Sequence, residues 1–172
     1  MMMVTPEDLR TELAEYDGRD TSTLSEITRR HRDQPGFLTA LVALAPDQDT
    51  TISDGATWIL RAELEAGRTL SPRSVRTLTK VLPRITAWQA QLHICQSIGC
   101  IDIPAALVPA LGHWLRARLD APRPFLRAWA LDALVGLYGN TPEIRSLLDQ
   151  MESDSAASVR ARVRNLRRRA GV

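Results

Sequence analysis

The stretch "LRAWALDALVGLYG", residues 126–139, decides how the rest of the chain is read. It carries a Trp near its start, a Gly at its end, and apolar residues recurring at three and four. That period is the buried stripe of an amphipathic helix. The same form returns in "DGATWILRAELEAG" (54–67) and in "TAWQAQLHICQSIG" (86–99). The closing glycines Gly67, Gly99 and Gly139 lie 32 and 40 residues apart. A two-helix unit repeating at that interval is the mark of an α-solenoid, in which neighbouring hairpins complete a core that none can bury alone.

Outward from these segments, no stretch alternates over a strand length, and the pattern predicts ten helices: 6–16, 22–32, 35–45, 52–66, 71–82, 84–98, 103–119, 123–138, 142–152 and 156–169. Ser71–Pro72 and Thr141–Pro142 read as cap-then-proline entries. Pro35 is expected in the first turn of the third helix, and Gly67 and Gly99 at left-handed C-caps. Pro83 divides two helices, and Pro109 is expected to kink the segment 103–119. Connections this short favour antiparallel neighbours.

Two segments resemble HEAT repeats. In "LDAPRPFLRAWALDALVGL" (119–137) an Asp opens a turn, a hydrophobe and Arg127 follow, then Ala130 and Leu134. In "MESDSAASVRARVRNLRR" (151–168) the order is Asp154, Val159, Arg160, Val163. Residues 47–60 keep Asp47, Ile52, Ala56 and Leu60 but have Ser53 in the arginine slot. The resemblance implies an all-α fold, a short right-handed α-solenoid of about four to five HEAT-like helical hairpins. It would form a single domain over 1–172, with N-terminal helices in 1–46 and clearer repeats in 47–172. In such arrays Arg127 and Arg160 would tie adjacent repeats together.

Composition fits a globular protein, with 44% hydrophobic and 24% charged residues. No apolar run has the ~18 residues of a membrane span. The start "MMMVTPEDLR" lacks the pattern of a secretion signal. Cys95 and Cys100, five apart, form neither a redox nor a metal pair, and both read as small buried residues in a reducing cytoplasm. His31, His93 and His113 are widely separated, and the phosphate-loop, dinucleotide, nucleophile-elbow and zinc-protease motifs are missing from the sequence. The expectation is therefore no cofactor, no metal, no small-molecule substrate and no catalysis: a cytoplasmic scaffold that binds a protein partner.

Charge is uneven. Residues 1–66 hold 13 acids and 6 bases, and residues 67–172 hold 7 acids and 16 bases. This asymmetry suggests either an anionic partner or head-to-tail contact. Trp58, Trp88 and Trp129, similarly placed in their helices, read first as filler between helices and second as an aromatic row on a concave surface. They are the candidate protein-binding residues. Sequence-independent nucleic-acid binding is the alternative, through Arg123, Arg127, Arg160, Arg164, Arg167 and Arg168. Trp129 and Asp132, one turn apart, also resemble the pocket pair of HEAT-like DNA alkylation-repair glycosylases, a remote third reading. In the terminal helix, Ala156, Val159, Val163, Leu166 and Ala170 form a narrow apolar stripe, with arginines on both flanks.

Overall fold

The computed structural model describes residues 2–171. Among them lie ten α-helices and no strand: α1 (Pro6–Leu13), α2 (Ser22–His31), α3 (Phe37–Leu44), α4 (Thr50–Glu65), α5 (Pro72–Val81), α6 (Trp88–Ser97), α7 (Val108–Arg118), α8 (Pro124–Tyr138), α9 (Pro142–Met151) and α10 (Ala157–Ala170). The chain resolves into two compact units, one ending at Leu107 and one beginning at Val108.

The first unit is organised around α4, which packs against α1, α2, α3 and α6. Nine of its sixteen residues are buried, among them Ile52, Ile59 and Leu60, so it presents apolar surface on several sides. Gly55 makes this possible: a Cβ there would meet Leu13 Cδ2 at 2.9 Å and Leu24 Cδ2 at 3.1 Å. Phe37, Leu9, Leu13, Leu24 and Leu41 complete this core. Helix starts are fixed by side-chain acceptors. Thr5 and Asp8 form a capping box on α1, Asp49 accepts from Thr51 N–H at α4, and Ser71 accepts from Ser74 N–H at α5. One carboxylate is buried: Glu63, clamped by Arg32 at 3.1 Å and Arg68 at 3.2 Å. A buried charge persists only with such partners, so the clamp fixes the register of the 66–71 loop against α2.

The second unit is organised around α8, which packs on α7, α9 and α10. The unit's buried core comprises Leu126, Ala130, Leu131 and Leu134 of α8, Leu111 and Leu115 of α7, Ile144 and Leu148 of α9, and Val159, Val163 and Leu166 of α10. Gly112 lets α7 lie close to α8, since a Cβ there would overlap the Tyr138 hydroxyl. The stripe expected in the terminal helix is its buried face. Thr141 caps α9 through Ile144 N–H.

Several local expectations are corrected. Pro109 does not kink a helix: residues 105–107 form a separate 3₁₀ turn and α7 begins at Val108, which puts Pro109 in the first turn, where its missing N–H costs nothing. Pro35 precedes α3, whose N-cap is Gly36 at φ 85°. Gly99 lies in a 3₁₀ turn, Ile98–Cys100, and is not among the positive-φ glycines, whereas Gly67 is, at φ 95°. Cys95 is buried as expected but Cys100 is exposed.

Candidate functional site

Helical geometry sorts the arginines of α10 into three groups. At about 100° per residue, Arg160 and Arg167 fall on one flank of the buried stripe, Arg162 and Arg169 on the other, and Arg164 and Arg168 on the outer crest with Ala157 and Ala161. The structure gives each flank its own acceptors. Toward α9, Arg167 pairs with Asp149 at 2.7 Å and Glu152 at 2.9 Å, and Arg160 donates to the Asp154 carbonyl at 2.7 Å. Toward α8, Arg162 and Arg169 meet on Asp132, at 2.6 and 2.9 Å. The crest pair stands exposed, as do Ala157 and Ala161.

The Asp132 side forms a distinct constellation. The Arg162 guanidinium lies over the Trp129 ring, 4.3 Å from its centroid, while also bonding Asp132. This stacks a delocalised cation on an aromatic face and fixes both. The Trp129 indole N–H is buried with no acceptor among the described residues. Beyond Asp132 a shallow groove of about 220 Å³ opens between α8 and α10, lined by Asp132, Val135, Gly136, Leu166, Arg169 and Ala170. Its floor is apolar and one end is a charged pair, the mixture that recognises a side chain together with its polar surroundings.

Gly136 lies on this groove, exposed, with no side chain of its own. Gly55 and Gly112 are required by packing, because a Cβ at either would collide with a neighbouring side chain, but a Cβ at Gly136 would meet nothing within 4 Å. Its backbone is helical and its φ is not positive. Glycine in a helix costs roughly 0.5–1 kcal/mol against alanine. At this position no packing contact requires the glycine.

In the first unit, the packed contact between α4 and α6 holds a second polar cluster. Thr57 Oγ1 donates to the Ser53 carbonyl at 2.9 Å, and it contacts His93 Nδ1 at 2.9 Å. If the hydroxyl proton goes to the carbonyl, the imidazole donates from Nδ1 as the Nδ1–H tautomer. Burial, with the nearby Arg61 charge, pulls His93 down to about 4, so the ring is neutral at pH 7. Arg61 donates to Gln96 Oε1 at 2.6 Å. Asp54 accepts the Ala90 N–H at 3.1 Å and so caps α6 from another helix; burial lifts its pKa to about 6 despite that bond.

The sequence-predicted residues divide accordingly. Trp58, Trp88 and Trp129 are all half-buried, one each on α4, α6 and α8. Trp114 is fully buried in α7, with Arg118 stacked on it at 4.7 Å. Arg127 is committed within the second unit: it forks onto Asp154 at 2.9 and 3.0 Å and donates to the Ala121 and Pro122 carbonyls. Arg123 occupies the N-cap position of α8. Arg167 belongs to the α9 flank. Of the basic set expected from the sequence, Arg164 and Arg168 are the two that stand on the crest without an ion pair among the described residues. Sequence reasoning missed Gly136, the Arg162–Trp129 stack and the His93–Thr57 pair. Among the described residues no cluster of three or more His, Cys, Asp or Glu could hold a metal, and no helix is long and apolar enough to cross a membrane. No family model, curated protein or solved structure matches the chain.

Proposed function

We propose that the chain is a non-catalytic protein-interaction module, built as a HEAT-like array of helical hairpins, which seats an apolar side chain of a protein partner in the α8–α10 groove. The array reading is supported inside each unit. Consecutive helices pair as α3 with α4, α7 with α8, and α9 with α10, while alternate helices stack as α3 on α5, α4 on α6, and α8 on α10. These pairs support the reading of stacked hairpins. Arg127, at the start of α8, reaches Asp154, in the turn before α10, a contact that supports the inter-repeat tie the HEAT resemblance implies.

The observation that carries the binding reading is Gly136: a helical glycine that packing does not require, on the floor of an apolar groove beside the Asp132–Arg169 pair. An exposed Cys100 thiol suits a reducing compartment, and we assign the module to the cytoplasm. The alternative, sequence-independent nucleic-acid binding, draws on 11 bases against 6 acids in residues 108–172. It is weakened by the engagement of Arg127, Arg162, Arg167 and Arg169 with carboxylates.

The test compares tagged wild type with Gly136→Leu, which fills the groove. Co-purifying proteins should be retained by wild type and lost from the variant at unchanged thermal stability. Equal recovery from both would sink the groove reading. Retention of duplex or single-stranded nucleic acid at low salt, weakening steeply as salt rises, would favour the alternative.

A further inference from the structure

We propose that α5 carries a second binding surface, a basic face that grips the phosphate backbone of a nucleic-acid duplex without reading its sequence. It belongs to the first unit and involves none of the groove residues. The sequence has no Asp or Glu from Ala66 to Ile101, a span that holds five bases: Arg68, Arg73, Arg76, Lys80 and Arg84. The last four belong to α5 and to the 3₁₀ turn Leu82–Arg84 that follows it. At about 100° per residue, Arg73, Arg76 and Lys80 fall within about 60° of one another. The buried residues Val75 and Leu78 lie on the opposite side of the helix. Arg73, Arg76, Lys80 and Arg84 are all exposed, and none makes an ion pair among the described residues.

The surroundings leave that charge uncompensated. α3, on which α5 packs, carries no charged residue from Phe37 to Leu44. The acids just before the span are engaged elsewhere, Glu63 by Arg32 and Arg68, and Glu65 by Arg61 at 3.6 Å. Asp33 lines a hollow with Ser71 and Ser74 at the N-terminal end of α5. Ser74 lies about 100° round the helix from Arg73, so that hollow is beside the basic face and not on it. Helix formation does not account for these bases. Arg73 sits in the first turn, where the helix dipole disfavours a cation, and cations three and four residues apart repel one another.

A phosphate backbone matches this face in length and charge. From Arg73 to Arg84 it runs about 17 Å, the rise of about five phosphates along one strand of a duplex. Bases in a row along one helix are the footprint of backbone contact. The face bears no aromatic ring on which an unpaired base could stack, which favours a duplex over a single strand. It also lacks a large apolar residue to anchor a protein or enter a bilayer: the exposed large hydrophobics among the described residues are Met2, Met3 and Phe125, none of them on α5.

Fluorescence anisotropy with short random-sequence DNA and RNA duplexes tests this, and binding of either supports it. For DNA, four neutralised phosphates give a slope of log affinity on log salt of about −3.6, a loss of about a hundredfold between 50 and 200 mM. Arg76→Gln/Lys80→Gln, at exposed positions where Gln keeps the helix propensity, should reduce the steepness by about 1.8 and the low-salt affinity by about tenfold or more, with the thermal melt unchanged. Arg73→Gln alone should reduce the steepness by about 0.9, which keeps the test decisive if the double variant folds poorly. Arg164→Gln/Arg168→Gln, the same change of charge on the second unit, should leave duplex binding as it is, and so should Gly136→Leu. Failure of either proposal therefore leaves the other standing. No binding of either duplex at low salt overturns the inference. So does a loss from the second-unit variant as large as that from the α5 variant, which would assign the binding to bulk charge. Phosphatidylserine-containing vesicles or a poly-glutamate peptide held by the α5 face more tightly than either duplex would assign it to a lipid surface or an acidic protein and overturn it likewise.

Discussion

Replacing Arg127 by Ala should show how strongly the start of α8 is tied to the turn before α10. The guanidinium makes two bonds to the Asp154 carboxylate and two to the Ala121 and Pro122 carbonyls, and the paired side chains are only 12% and 11% exposed. Exposed pairs are worth about 0–1 kcal/mol, whereas removing one partner of a buried pair costs about 3–5 kcal/mol because the other charge is stranded. This pair lies between those limits. Asp154 would keep only the Ala156 N–H, at 2.9 Å, so the expected loss is about 2–3 kcal/mol. For a chain of this size that is a fall in Tm of about 5–10 °C. The sign with pH follows from Asp154, whose carboxyl is held below the usual carboxylate range chiefly by its hydrogen bonds from Arg127. A depressed folded-state value stabilises above the unfolded value of about 3.9, and the stabilisation is lost as pH falls through the folded one. The deficit of Arg127→Ala should therefore be complete at pH 7 and shrink in acid. Urea unfolding at pH 7 and at pH 3 measures both. A loss below about 0.5 kcal/mol, or one independent of pH, would refute the claim that this is a near-buried structural tie.

Three further outcomes are expected. Gly136→Ala should raise stability by about 0.5–1 kcal/mol, while Gly112→Ala should lower it by about 1–3 kcal/mol, because only the second Cβ has no room; parallel thermal melts compare them. Asp54 has a folded value near 6, above its unfolded value of about 3.9, so its ionisation weakens the first unit as pH rises between the two. Asp54→Asn, which keeps an acceptor for the Ala90 N–H, should thus gain about 1–2 kcal/mol on wild type between pH 4 and pH 7; a constant difference would contradict the assignment. His93, drawn down to about 4, should show a neutral imidazole by nitrogen NMR at pH 5.5, and a protonated ring there would contradict the effect assigned to its burial.

Helix number and order were legible in the sequence because the signals are local: period, cap and proline. Thr141–Pro142 and Ser71–Pro72 start their helices as read. The stripe of α10 followed from spacing alone, and Val159, Val163 and Leu166 are its buried residues. Proline was less informative where two local outcomes compete, as at Pro109, which either kinks a helix or starts one. The candidate site was legible only in part. Arg162 and Arg169 reach Asp132 from 30 and 37 residues away, and which arginines do so depends on the axial offset of α10 against α8. Period does not encode that offset. Gly136 was hidden for the same reason: whether a helical glycine faces a neighbour or empty space is a property of packing. Trp129 stood out in the sequence as an unusual residue of α8, yet nothing local pointed to its partner Arg162.

Protein binding at the α8–α10 groove is the function proposed for this chain. It is tested most directly by placing a photo-crosslinking residue at exposed Asn165, between the groove rim and the crest, and irradiating cells of the native host. One dominant protein adduct is expected, and it should disappear with Gly136→Leu. Adducts no stronger or more selective than those from the same probe at exposed Thr77 on α5, or unaffected by filling the groove, would contradict it.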